Sequence, residues 1–299
     1  MSCDRRRFLH LGGAAALGTA LGSPSLFAQQ TKKRPIRKSL MYYMCAQGRD
    51  VREKFDIIRR AGFEGVEMDS PSKIPIDEIA AARDATGLAV SGIVDSVHWR
   101  KTLGDSDENV RREGVAGLET AIRDCHTLGG KSVLLVPGVV NATFAYDDVY
   151  KRSQTEIRKV LPLAAELKVK IAIENVWNDF LLSPLEAVRY VDEFESPWVG
   201  WHLDCGNVIT YGYPEQWVRI LSKRLVTLHI KDFSRKKRDE EGYHKGFDVN
   251  LKDGDANWSG IMKALDEVGF AGWGSAEVAA GDEEHLKDVV RRMDEIFTS

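Results

Sequence analysis

The sequence predicts an α/β protein, a single (β/α)8 TIM barrel preceded by an N-terminal export signal. Three observations predict it. Past residue 37, apolar runs rich in Val, Ile and Leu alternate with amphipathic helical stretches, each pair closed by a glycine or polar turn. That unit recurs eight times with no break in composition, over a length that suits one large α/β domain. No glycine-rich phosphate fingerprint follows the first strand, which favours closure over a doubly wound open sheet.

The first 28 residues stand apart. Arg5-Arg6-Arg7-Phe8-Leu9 precedes an apolar, small-residue run from Leu11 to Leu21, then Ser23-Pro24 and a cleavage point after Ala28. This is the form of a twin-arginine signal peptide, which would place the mature protein outside the cytoplasm, in the periplasm or its equivalent. The run is too short and too rich in Gly and Ala for a stable membrane span. Residues 29–37 are polar and basic and read as a linker, and residues 38–299 as the barrel. Removing residues 1–28, with three arginines and one aspartate, takes the net charge from −3 to −5. Apart from the linker, the one basic block is Arg235 to Arg238, which argues against a nucleic-acid partner. Of the four cysteines, Cys45, Cys125 and Cys205 remain, an odd and unclustered set that suggests no disulfide framework.

In order, strands are expected near 38–45, 65–69, 88–95, 131–136, 169–174, 199–204, 225–230 and 272–277. Helices are expected near 50–61, 75–86, 106–128, 147–167, 184–195, 214–223, 258–268 and 283–297. The longest connection runs from Phe233 to Asn257. At the catalytic end of a barrel, so long a loop suits a lid, or else a solvated charged excursion.

Alternation along a strand gives each side chain a direction. In strand five, Ile171 and Ile173 face one way and Glu174 the other. In strand six, Val199, Trp201 and Leu203 oppose Gly200, His202 and Asp204. In strand seven, Leu228 and Ile230 oppose Thr227 and His229, and in strand eight Glu277 shares its face with Ser275. If the apolar faces meet the helices, four neighbouring strands aim three carboxylates and one imidazole at one spot. Each alone has an ordinary reading, as a helix cap, a surface charge or a satisfied core histidine. Together they would repel strongly unless a cation sat among them. Two like charges about 4 Å apart cost on the order of 4 kcal/mol at an effective dielectric near 20. Oxygen-rich ligation with one imidazole suits Mn2+, Mg2+, Co2+ or Zn2+.

These residues resemble a known family. Glu174, Asp204, His229 and Glu277 look like the metal site of the xylose-isomerase-like barrels, which include sugar and sugar-phosphate 3-epimerases, hydroxypyruvate isomerase and inosose dehydratase. Supporting stretches are GFEGVEM (62–68), IAIENVWN (171–178), HLDCGN (202–207), LHIKDF (228–233), GDANW (254–258) and GWGSAEV (272–278). The resemblance implies that Glu174 and Glu277 both bind the metal and move the proton, with Asp204 and His229 as pure ligands. It places Asn207 where the family often has a substrate-contacting histidine, and Arg235 where it has a substrate-contacting arginine, the other reading of Arg235 being an ordinary exposed charge. Glu67, on the inner face of strand two, reads as a substrate contact or a salt-bridge partner. His98 and Trp99, after strand three, read as a substrate-facing pair or a packed rim. Lys231 and Asp232 suggest support for the His229 ligand. Trp177 and Trp258 would line the mouth or cover the rim.

The expected function is therefore a metal-dependent sugar isomerase or epimerase. It would act on a small-molecule sugar or keto-sugar by proton abstraction beside the carbonyl, through an enediolate. The first alternative is a lyase that uses the same abstraction for β-elimination from a keto-sugar or 3-keto-glycoside. A phosphodiesterase with three zinc ions needs more histidines than the six left after Ala28. A non-catalytic sugar-binding barrel would not need both glutamates. A homo-oligomer is left open.

Overall fold

The computed structural model describes residues 34–299. The expected signal peptide, residues 1–28, and residues 29–33 of the linker lie outside the described residues. Eight parallel strands close into one barrel in sequence order. They are β1 (Ile36–Met41), β2 (Gly65–Ser70), β3 (Ala89–Asp95), β4 (Ser132–Leu135), β5 (Lys170–Glu174), β6 (Val199–Asp204), β7 (Leu225–Ile230) and β8 (Gly272–Ala276). The outer ring holds α1 (Val51–Ala61), α2 (Ile76–Thr86), α3 (Glu108–Leu128), α4 (Tyr146–Leu167) and α5 (Pro184–Asp192). It continues with α7 (Pro214–Leu221), α9 (Trp258–Val268) and α10 (Glu283–Thr298), while the short α6 (Cys205–Ile209) and α8 (Arg235–Glu241) lie in the connections after β6 and β7. Among the described residues no helix is long and apolar enough to cross a membrane.

Local chemistry sets these boundaries. Asp50 accepts from the Glu53 amide to start α1, and Gly62, at a φ of 109°, ends it. Ser183 caps α5 with Pro184 in its first turn, and Asp282 caps α10. β1 begins two residues inside the expected linker, because Arg34 is already tied down. Its guanidinium reaches both Asp266 oxygens at 3.1 Å and the Phe297 carbonyl at 2.6 Å. The connection from Phe233 to Asn257 is not structureless. Ser234 caps α8 by accepting from the Lys237 amide, and a 3-10 turn covers Tyr243–Phe247.

The main core lies between sheet and helices. Leu40, Val66, Ile93, Val133, Ile171, Trp201, Leu228 and Ala276 are all buried there. The opposite strand faces carry small and polar groups where such barrels usually pack branched aliphatics: Ser39, Glu67, His202, Thr227 and Ser275 are buried. Two register shifts matter for the site. Trp201 pairs with Leu225 but His202 with Thr227, so the extra residue Val226 brings Asp204 opposite His229. A similar shift at Ser91 brings Glu67 opposite Gly92.

Candidate active site

Glu174 ends β5, Asp204 ends β6, His229 lies one residue before the end of β7, and Glu277 follows β8. Each offers a ligand atom, and these atoms lie within 4.8 Å of one another. His229 Nδ1 is 3.5 Å from Glu174 Oε1, 3.7 Å from Asp204 Oδ2 and 3.2 Å from Glu277 Oε2. Asp204 Oδ1 accepts from the Asn207 amide at 2.8 Å and so caps α6. Asp204 Oδ2 and His229 Nδ1 are buried and have no hydrogen-bond partner. Buried polar atoms are normally paired, and these two face the same point.

Burial disfavours a charged imidazole, but Glu67 and the three converging carboxylates outweigh it, holding the His229 pKa well above its ordinary value. The negative field that favours a proton there also favours a divalent cation. On the far side of the ring, His229 Nε2 lies 2.8 Å from Glu67 Oε2. A proton on Nε2 donated to Glu67 leaves the Nδ1 lone pair aimed at the carboxylate cluster, the state a metal ligand needs. The donor set fits a divalent metal.

The two glutamates sit in opposite environments. Burial, helped by Asp204 and Glu277 against His229, pushes Glu174 up to about 7. Burial also opposes the charge on Glu277, but Lys231 and His229 overcome it and hold this carboxyl well below its usual range. Lys231 Nζ lies 2.9 Å from Glu277 Oε2 and 3.5 Å from Asp204 Oδ2, with the Phe247 ring 4.4 Å away.

A pocket of about 350 Å³ opens onto this cluster, with His98, Trp99, Trp177, Asn207, Lys231 and Phe247 in its wall. His98 Nδ1 accepts from the Val136 amide at 3.2 Å, and burial drives its pKa down to about 3, so the ring is neutral and Nε2 carries the proton. Asn207 donates to the Asn175 carbonyl at 3.1 Å. Glu67 and Arg235 are not in the pocket wall. Glu67 instead backs His229. The Arg235 guanidinium reaches the Ile209 and Gly212 carbonyls at 3.0 and 3.1 Å and stacks over Tyr213, bracing the turn between α6 and α7.

Other residues were read less fully from the sequence. Lys231 lines the pocket itself. Trp177 also lines it, and its ring packs on Tyr243, His244 and Phe247 at 4.3, 5.3 and 4.9 Å. The run YHKGF inside a charged connection was the available signal for that packing. Trp258 is buried and donates to Asp232.

Residues 55–296 match the family described as xylose isomerase-like TIM barrel. The chain is 23% identical over 232 residues to an L-ribulose-5-phosphate 3-epimerase of Escherichia coli O1:K1, covering 74% of this chain and 79% of the relative. Among solved structures, 3-keto-D-glucoside 4-epimerase from E. coli superposes with a TM-score of 0.73 at 19% identity, over 88% of this chain and all of the other. The IOLI protein with a bound zinc atom gives 0.72 at 17% identity, over 88% and 98%. The fold, the converging strand ends and the matched span lead to one conclusion: the chain belongs to the xylose isomerase-like TIM barrel family.

Proposed function

We propose that the protein is a divalent-metal-dependent sugar epimerase or isomerase. The observation that carries this reading is the convergence of Glu174 and Glu277 on the same point as Asp204 Oδ2 and His229 Nδ1, two buried atoms without a hydrogen bond. The sequence relative and the 4-epimerase structure, both named for sugar epimerisation, support it. Glu174, Asp204, His229 and Glu277 would hold the ion, with Mn2+, Mg2+, Co2+ and Zn2+ as candidates. When bound, the ion would polarise a substrate carbonyl as a Lewis acid.

The protein's own groups supply the proton transfers. One glutamate takes the proton from the carbon beside the carbonyl. The other returns a proton, to the opposite face of that carbon in epimerisation or to the neighbouring carbon in isomerisation. Opposite starting environments favour such a division of roles. Neutral His98 offers Nε2–H to a substrate oxygen, and Asn207 lines the same wall. The lid of Trp177 and Phe247 restricts water.

The test is exchange of the substrate α-proton with solvent in D2O. It should require a divalent metal and fall by roughly 10²–10⁴-fold in Glu174→Gln and Glu277→Gln. Product that wholly retains the α-proton would overturn the proposal. We further propose, from Arg5-Arg6 and the apolar run after it, export by the twin-arginine route. Arg5→Lys with Arg6→Lys should retain the protein in the cytoplasmic fraction, and unchanged export would reject this.

A further inference from the structure

The pocket's charge points to its substrate class. A phosphate ester brings a charge of about −1.5 to −2 and needs guanidinium, ammonium or unpaired amide donors. Among the described residues lining the pocket, Lys231 is the one lysine and there is no arginine. Its ammonium is already engaged by Glu277 and Asp204 at 2.9 and 3.5 Å. The first arginine after β7, Arg235, is spent on the Ile209 and Gly212 carbonyls.

Barrels of this kind often cradle phosphate on loop amides after strands seven and eight. Here the first of those loops holds an anion of its own. Asp232, 3% exposed, accepts from the amides of Phe233, Lys252 and Ala256 at 2.9, 2.8 and 3.1 Å, and from the Trp258 indole at 2.9 Å. After β8, the Gly281 amide donates to the Met44 carbonyl at 3.0 Å, and Asp282 accepts from the His285 amide at 2.9 Å to cap α10. Much of the remaining wall, Val94, Leu134, Trp99, Trp177 and Phe247, is apolar or aromatic and suits the C–H faces of a sugar, and the His244 imidazole in the same wall packs on the Trp177 ring at 5.3 Å.

We infer that the site takes a free, uncharged ketose and discriminates against its phosphate ester, because its wall offers no arginine, its one lysine is held by two carboxylates, and Asp232 takes up amides of the loop after β7. The inference rests on the sugar-epimerase reading, and it separates this chain from the phosphate-ester specificity in its relative's name.

The experiment uses the metal-loaded full chain and matched pairs: L-ribulose with L-ribulose 5-phosphate, and D-fructose with D-fructose 6-phosphate. α-Proton exchange in D2O gives kcat/KM for each. The free sugar should be preferred by about 10–100-fold, the worth of one or two missing charge-assisted hydrogen bonds. Inorganic phosphate should neither inhibit competitively nor raise the melting temperature. Preference for either ester, or competitive inhibition by phosphate, overturns this inference and leaves the epimerase reading standing. Absence of exchange with every sugar overturns both.

Discussion

Glu67→Ala should weaken metal binding although Glu67 does not reach the ligand cluster. Glu67 Oε2 and His229 Nε2 are 2.8 Å apart, and the two side chains are 3% and 2% exposed, so water cannot replace the lost acceptor. Truncation would leave a buried N–H unpaired, at about 1–3 kcal/mol. It would also release the tautomer that keeps the Nδ1 lone pair facing Asp204, Glu174 and Glu277. At about 1.4 kcal/mol per decade, this predicts a loss of roughly 10–100-fold in metal affinity, the range seen for outer partners of ligating histidines. Glu67→Gln still offers an oxygen to Nε2–H, and its loss should stay nearer tenfold. Competition against a chromophoric chelator gives the affinities, and ¹⁵N shifts of the His229 ring report the tautomer. A Glu67→Ala protein that binds metal as the wild type does, with Nε2 still protonated, would refute this role.

Three further outcomes follow from the structure. Asp232→Ala strands three amides and an indole that now share one buried carboxylate, so thermal melting should show a loss on the order of 3–4 kcal/mol; an unchanged melting temperature would contradict it. Burial pushes Asp95 up to about 7, so the fold prefers its neutral form. Its stability contribution is complete below the ordinary carboxylate pKa near 4 and is lost as pH rises through about 7. Asp95→Asn should therefore melt above the wild type at about pH 8 and converge with it near pH 4; a pH-independent difference would reject the assignment. Trp177→Ala removes the platform under Tyr243 and Phe247 and the 3.1 Å bond to the Asn207 carbonyl, so trypsin should cut between Lys236 and Lys245 about tenfold faster; unaltered proteolysis would show the lid anchored elsewhere.

Much of the fold was legible because its signal is local and repeated. Each β-α unit shows a change of period from two to 3.6, and eight in a row leave few topologies. The converging residues were legible because alternation alone points Glu174, Asp204 and His229 away from their helix-facing neighbours. The α8 segment was not, since RKKRDEE has no apolar face to mark a helix. It is held instead by the Ser234 cap and by Arg238, which donates to the Thr210 carbonyl at 2.8 Å. Glu67 was half legible: parity turned it inward, but its partner lies 162 residues away, across the barrel. The contacts of Arg235 were not legible, because a motif fixes spacing along the chain and not the direction of a long, flexible side chain. The two carbonyls that hold it belong to the turn after β6.

Asp204 shows why local and functional readings need not compete. From sequence, an aspartate ending a strand reads either as a helix cap or as a metal ligand. A carboxylate has two oxygens, and here they divide the work. Oδ1 takes the Asn207 amide and starts α6, while Oδ2 is left buried without a hydrogen bond, between His229 and the Lys231 ammonium 3.5 Å away. The cap fixes the rotamer, and the rotamer aims the free oxygen. The Asn175 side chain tightens the arrangement by accepting from the Asp204 amide at 3.1 Å and donating to its carbonyl at 2.9 Å. A ligand held at three points on its own residue loses little entropy when it binds. In the proposed metal site, the same bonds that begin the next helix would prepare Asp204 for a cation.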